Sequence, residues 1–286
     1  MTASTPTFFI VGDERKGPVR EAIGQLLPDL EKRCRVSGVD LRGDADLESV
    51  EADFLLLFGG DGSILSAARR MGRNQIPTLG VNMGRLGFLA ELPRNGWRRA
   101  VDALLEGRFE VEERMMIRVR LERDGETLLE SLGLNDLVLE RYTTSQIVHV
   151  TVQIGQWDRT TFSGDGLIVA TPVGSTAYCL GAGGPILMPE LEAMAVVPIC
   201  PHALSHRPIV VSADAVLSCR FERPFGEATL SIDGQVSQSL TSEDVVEVAR
   251  AGVNFRLVKL ERGNFFEVLS AKLNWSGRPN YEESEG

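Results

Sequence analysis

Hydrophobic and polar positions along this chain follow two different periods. In the first third, short apolar runs alternate with stretches of helical spacing. Thr7 to Val11, Val36 to Leu41, Asp53 to Phe58 and Pro77 to Val81 read as strands. Between the first two, Val19, Ala22, Ile23, Leu26, Leu27 and Leu30 recur at helical intervals behind Pro18, a residue suited to a first helical position. Pro28 should kink or end that helix, because it has no N–H to give. Ser63 to Met71 reads as a second helix. Trp97, Val101, Leu104 and Leu105 mark a third, which Gly107 can close. Strand and helix in alternation predict a Rossmann-like α/β domain with a parallel sheet, ligands lying at the carboxyl ends of its strands.

Beyond about Phe109 the period becomes two. Met116 to Leu121, Leu128 to Leu132 and Ile147 to Ile154 alternate, with Asp124-Gly125 a hairpin turn between the first pair. Gly166 to Thr171, Ile209 to Ser212, Leu217 to Phe221, Ala228 to Ile232, Val245 to Ala249 and Phe255 to Leu260 continue the series. Many short strands predict an all-β, sandwich-like C-terminal domain. Phe265 to Leu273 reads as a final helix, and the acidic tail from Tyr281 as disordered. The division is residues 1–110, 111–264, and a 265–286 helix and tail that could pack back on the first domain.

Composition narrows the classes. A chain of 286 residues, 43% hydrophobic and 24% charged, has ample material for real cores. Its net charge of −10 argues against nucleic-acid binding, which draws on clustered Lys and Arg. An acidic protein can still hold phosphorylated small molecules through backbone amides and a few local cations; Arg69, Arg70 and Arg73 could supply those, with an exposed helix face the alternative for most. Cys34, Cys179, Cys200 and Cys219 show no Cys-x-x-Cys spacing, so neither a zinc site nor a disulfide framework is indicated. No basic leader precedes Phe8 to Val11, and no apolar run is long enough to span a bilayer, so a cytoplasmic protein is expected.

Candidate chemistry sits in two places. Gly59-Gly60-Asp61-Gly62 lies between a buried strand and a helix. Glycines permit close approach of backbone to ligand, and the first N–H groups of the helix are free for phosphate oxygens. Asp61 among phosphates could accept a hydroxyl proton or help hold Mg²⁺; the plainer alternative is a helix cap. The second place runs from Asp165 to Tyr178. An aliphatic strand passes through Thr171-Pro172 into Gly174, the hydroxyls of Ser175 and Thr176, and a Tyr178 ring able to stack on a base. A capped tight loop is the alternative there. His202 and His206 have a metal-like spacing without a third ligand, which favours a structural pair.

Together Gly59-Gly60-Asp61-Gly62, Gly80-Val81-Asn82 with Leu86-Gly87-Phe88, Asn135-Asp136, and Asp165-Gly166 through Thr176-Ala177-Tyr178 resemble the NAD kinase family, in that family's order. Gly183 to Ile186 and Pro201 to Pro208 resemble it too, and the similarity runs from about Asp53 to Trp275. The Gly-Gly-Asp-Gly signature is shared with lipid kinases and phosphofructokinases; the Thr-Pro-x-Gly-Ser-Thr-Ala-Tyr segment is more specific. The resemblance implies phosphoryl transfer from ATP or polyphosphate, with Mg²⁺, to the 2′-hydroxyl of the adenosine ribose of NAD, in a homodimer or homotetramer.

By the same resemblance Asp61 is the general base, and Gly59 and Gly60 form the phosphate-donor loop. Gly62, Asn135, Asp136, Asp165, Thr176, Ala177, Tyr178, Cys179, Leu180, Gly181 and Gln235 line the dinucleotide site, with Phe88, Gln146 and Ser163 as further members. Asp136 stands where the family usually has Glu, Val173 where Thr is frequent, and Cys179 where Asn or Ser is common; these bear on substrate preference. No metal ligand is assigned. The rivals are another Gly-Gly-Asp-Gly kinase, acting on a lipid or sugar phosphate, and a non-catalytic dinucleotide-binding regulator. A Rossmann oxidoreductase is disfavoured, because no Gly-x-Gly-x-x-Gly follows the first strand.

Overall fold

The two periods become two layered halves in the computed structural model, which describes residues 5–84, 87–90, 92–142, 147–157, 159–203, 205–222, 227–260 and 265–274. Leu86, Gln146, Leu204, Trp275 and the acidic tail lie outside the described residues. In the first half come β1 (Thr7–Val11), α1 (Gly17–Leu30), β2 (Arg35–Asp40), β3 (Phe54–Gly59), α2 (Asp61–Arg70), β4 (Thr78–Asn82), the two-residue β5 (Leu92–Pro93) and α3 (Trp97–Leu105). Their strands pair in parallel, in the order β4-β3-β1-β2.

Strand β3 shows why an unbroken apolar run was needed. Side chains alternate across a strand, and this one is covered on both faces. Leu55 and Leu57 pack with Ile64, Leu65 and Ala68 of α2. Phe54, Leu56 and Phe58 pack with Val19, Ile23 and Leu26 of α1 and with Trp97, Val101 and Leu104 of α3. Each such side chain, fully buried, contributes about 1.5–3 kcal/mol. Pro28 lies inside α1, two residues before its end.

The second half holds β6 (Glu110–Arg123), β7 (Glu126–Gly133), β8 (Asp136–Arg141), β9 (Val148–Ile154), β10 (Thr160–Gly164), β11 (Gly166–Ala170), the single turn α4 (Tyr178–Gly181), β12 (Ala193–Ile199), β13 (Ile209–Ser212), β14 (Leu217–Phe221), β15 (Ala228–Ile232), β16 (Val236–Leu240), β17 (Val245–Lys259) and α5 (Phe265–Leu273). An antiparallel sheet in the order β13-β12-β11-β8-β15-β16 faces the antiparallel part of the larger sheet. Val119, Leu121, Val150 and Leu217 on one side meet Leu137, Leu139, Leu167, Val169 and Leu230 on the other. Asp124 and Gly125 both have positive φ, as the β6–β7 hairpin requires.

Besides the two-residue β5, four described strands escape the sequence pattern: β8, β10, β12 and β16. Strand β12 carries Pro198, which argues against a central strand. It is tolerated because β13 pairs only with Ala193 to Val196, leaving one side of Pro198 without a strand. Conversely, Val245–Ala249 and Phe255–Leu260 are two halves of β17, whose register against β6 shifts between Arg250 and Asn254. Its far half also touches β4 in parallel, Leu257 beside Thr78, and so joins the two halves of the molecule.

Candidate active site

Asp61 is the first residue of α2, and Gly60 before it occupies the cap position without any side-chain cap bond. The carboxylate is turned instead to another segment. Oδ2 accepts the Phe88 N–H at 2.8 Å, and Oδ1 accepts those of Leu89 and Ala90 at 3.0 Å each. Gly87 makes that approach possible: a Cβ there would stand 2.0 Å from Asp61 Oδ1. None of Gly59, Gly60 and Gly62 has a positive φ. A Cβ on Gly59 would stand 2.4 Å from Ser63 Oγ, whereas one on Gly60 would meet nothing within 4 Å, so Gly60 leaves open space at the loop. Asp61 Oδ2 also lies 3.9 Å from Lys272 Nζ of α5, whose ammonium sits 4.2 Å from the Phe88 ring centroid.

Gly62 is tied to the second sheet. Its carbonyl accepts from Gln235 Nε2 at 2.7 Å. Gln235 follows the Asp233-Gly234 turn between β15 and β16, where both residues have positive φ. The Asp233 carboxylate in turn accepts three N–H groups, from Leu134 at 2.9 Å, Asn135 at 2.7 Å and Asp136 at 3.1 Å. Asn135 is also held from behind: its carbonyl accepts the Thr171 N–H at 2.8 Å, and a Cβ on Gly174 would stand 2.0 Å from that oxygen. Its own side-chain amide makes no hydrogen bond among the described residues and is free for a ligand.

Electrostatics set the two carboxyls apart from ordinary ones. Burial, reinforced by the charge of Asp233, pushes the Asp136 carboxyl up to about 7. Burial raises Asp233 as well, against the pull of its three amides and of Arg69. Asp165, half-buried, pairs with Arg141 at 2.8 Å. Ser163 Oγ lies 2.7 Å from His149 Nδ1. Tyr178 is 45% exposed.

Several expectations are corrected. The Cys179 side chain does not face this site: it is fully buried among Val138, Ile168, Ala170, Ala195 and Val197, and burial pushes its thiol up to about 11. The outer face of β11 needs a cover, and the Cys179 turn provides it. Ser175 is spent internally, its Oγ donating to Pro172 O at 2.6 Å and accepting from Leu187 N at 3.0 Å. Of the two roles open to Arg69, Arg70 and Arg73, attendance on the glycine loop is not the one they take. Eight residues of helix carry Arg69 about 12 Å along α2, and Arg70 pairs with Asp40 at 2.5 Å. His202 and His206 lie outside any helix; His206 packs edge-on to Phe162. No cluster of three or more His, Cys, Asp or Glu that could hold a metal exists among the described residues.

The structure therefore ties Gly62, next to Asp61, to Gln235 by one hydrogen bond, and Asn135 and Asp136 to Asp233, two residues before Gln235. Phe88 and Thr176 line one cavity beside it. Sequence reading missed the amides of residues 88–90, the clamp at Asp233 and Lys272. For Asp233 a local signal existed in its Asp-Gly hairpin dipeptide; for the others nothing local marked the role.

The ATP-NAD kinase N-terminal domain model matches residues 17–109, and the ATP-NAD kinase C-terminal domain model matches residues 134–260. The NAD kinase of Citrifermentans bemidjiense is 41% identical over 250 residues, 87% of each chain. That of Rhodopirellula baltica is 38% identical over 273 residues, 96% of this chain and 88% of the other. An NAD kinase from Archaeoglobus fulgidus, solved in complex with ATP, has a TM-score of 0.73 at 27% identity, covering 94% of this chain and 98% of that one. Yeast NADH kinase, solved with NADH, shares the fold with a TM-score of 0.87 at 22% identity, covering 97% and 90%.

Proposed function

The chain belongs to the NAD kinase family, and from that premise we propose how its residues divide the reaction. It is an NAD kinase: it transfers a phosphoryl group from ATP to the 2′-hydroxyl of the adenosine ribose of NAD, giving NADP. Asp61 receives the hydroxyl proton as the oxygen attacks the terminal phosphorus, and the bridging oxygen leaves with the electron pair. The observation that carries this role is the three-amide tether from residues 88–90, which aims a partly exposed carboxylate at the carboxyl end of β3.

Recognition falls to the second sheet. The free Asn135 amide, Asp165 and the polar edge at Asp136 hold the dinucleotide, and Tyr178 stacks on its base. Thr176, Ala177 and the backbone of Leu180 and Gly181 close the pocket, with Ser163 and Phe88 at its margin. Gly59 and Gly60 leave room for the donor phosphates. The chain offers these phosphates one carboxylate, Asp61, whose Oδ2 accepts a single N–H. That fits Mg²⁺, which is commonly bound by one or two carboxylates and substrate phosphates. When bound, the metal would neutralise phosphate charge. The four cysteines are free thiols, which supports a cytoplasmic setting. Among the described residues no helix is long and apolar enough to cross a membrane.

The test is turnover. Purified protein with NAD, Mg²⁺ and ATP should form NADP, and a donor panel including polyphosphate fixes the phosphoryl source. Asp61→Asn should retain NAD binding in titration, because its amide oxygen can still accept from Leu89 and Ala90. Its kcat should fall by about 10²-fold or more. Binding without turnover in the wild-type protein would make it a dinucleotide-binding regulator instead.

A further inference from the structure

Helix α5 presents Phe265, Val268, Leu269 and Lys272 on one face, at the spacing i, i+3, i+4, i+7. Three of the four are apolar and seat the helix: Leu269 is 1% exposed, and the Phe265 ring lies 6.4 Å from that of Phe88. The fourth is a lysine, an unusual occupant for the packed stripe of an amphipathic helix. Its stem follows the seated face, and its side chain is only 25% exposed. The ammonium ends over the face of Phe88, 3.9 Å from Asp61 Oδ2. That is too long for a hydrogen bond. Among the described residues Lys272 donates none, so its three N–H groups are unspent.

This cation answers a deficit in the site. A nucleoside triphosphate brings several negative charges to a loop whose own charged group, Asp61, is a carboxylate. The arginines that follow the glycine loop are engaged elsewhere, Arg70 with Asp40 and Arg69 under the field of Asp233. Arg141 pairs with Asp165. Among the described residues no other basic side chain comes within 4.0 Å of Asp61. A hydroxyl donating to Asp61 Oδ2 at ordinary hydrogen-bond length would lie within about 7 Å of the Lys272 nitrogen.

We propose that Lys272 is a second catalytic residue, its ammonium binding the phosphoryl group in transit to the hydroxyl that Asp61 deprotonates. The proposal rests on the role given to Asp61 above. Lys272 keeps its proton throughout and donates hydrogen bonds to the non-bridging oxygens of the moving group. Charge gathers on those oxygens and on the leaving oxygen as the reaction proceeds, so a fixed donor there lowers the barrier. Packing on Phe88 holds the ammonium in place before substrate arrives. The same aromatic residue contributes the N–H that steadies Asp61, so base and cation share one support.

The experiment compares wild type, Asp61→Asn, Lys272→Met and Lys272→Arg by steady-state kinetics and by NAD titration. Lys272→Met keeps the apolar stem. It should lower kcat roughly 10- to 100-fold and raise the KM of ATP, with NAD affinity within about twofold of wild type. Lys272→Arg should recover part of the loss. If the melting temperature shows that Met loosens the helix, Lys272→Gln carries the same comparison. An unchanged or increased kcat in the charge-removing variants, while Asp61→Asn collapses, overturns the lysine proposal alone. Failure of Asp61→Asn to reduce kcat overturns the reading of the base itself.

Discussion

Replacing Asp136 by Asn should stabilise the protein at alkaline pH and scarcely affect it near pH 4. Asp136 opens β8, is 4% exposed, and faces the charge of a second buried carboxyl, Asp233. Its carboxyl is raised from an ordinary 3.8 to about 7. The sign follows from that direction. Between about 4 and 7 the folded protein keeps a proton that the unfolded chain has released, so stability falls as pH rises through this window. Above about 7 the folded state carries the full cost of a buried charge. At about 1.4 kcal/mol for each tenfold change, the rise corresponds to about 4 kcal/mol. Movement of Asp233 and entry of water would relieve part of this, leaving about 2–4 kcal/mol. Asn has the shape of the carboxyl and no charge to lose. Urea unfolding of both proteins without ligand, at pH 4 and pH 8.5, should show a difference below about 1 kcal/mol at the lower pH. At the higher pH the variant should be more stable by about 2–4 kcal/mol. An equal difference at both values would refute the reasoning. The gain should come with weaker NAD binding, the usual relation between a strained site and its function.

Two further expectations concern the surface and a buried thiol. Cys179, fully buried with its thiol raised to about 11, should react with iodoacetamide slowly and equally with and without NAD, while exposed Cys200 labels first. Mass spectrometry showing protection of Cys179 by NAD would return it to the pocket lining. We also expect at least a homodimer in solution. Edge strand β13 presents Ile209 and Val210, 40% and 50% exposed, and such edges are commonly covered. Light scattering that finds an active monomer at assay concentration would count against it.

What the sequence determined by itself was local. Helical spacing around Val19 to Leu30, the unbroken run of β3, the Asp-Gly hairpin at Asp124 and the final helix at Phe265–Leu273 all follow from side-chain period and turn chemistry, which operate over a few residues. The family's motifs were legible in the same way, as was the placing of Asp61 at a strand-to-helix turn. Tertiary structure decided which groups those motifs would meet. Asp61 is bound by amides 27 to 29 residues away, and the Leu134–Asp136 corner by a carboxylate 97 to 99 residues away. Cys179 stands beside an exposed Tyr178 in sequence yet points into the core, because the apolar outer face of β11 had to be covered. Arg69 and Arg70 follow the glycine loop closely in sequence, but the rise of an α-helix carries them to its other end. Lys272, distant in the chain, arrives beside Asp61 because the apolar face of α5 packs where Phe88 waits. Proximity in sequence sets conformation over a turn or two; proximity in space is set by which faces must be removed from water.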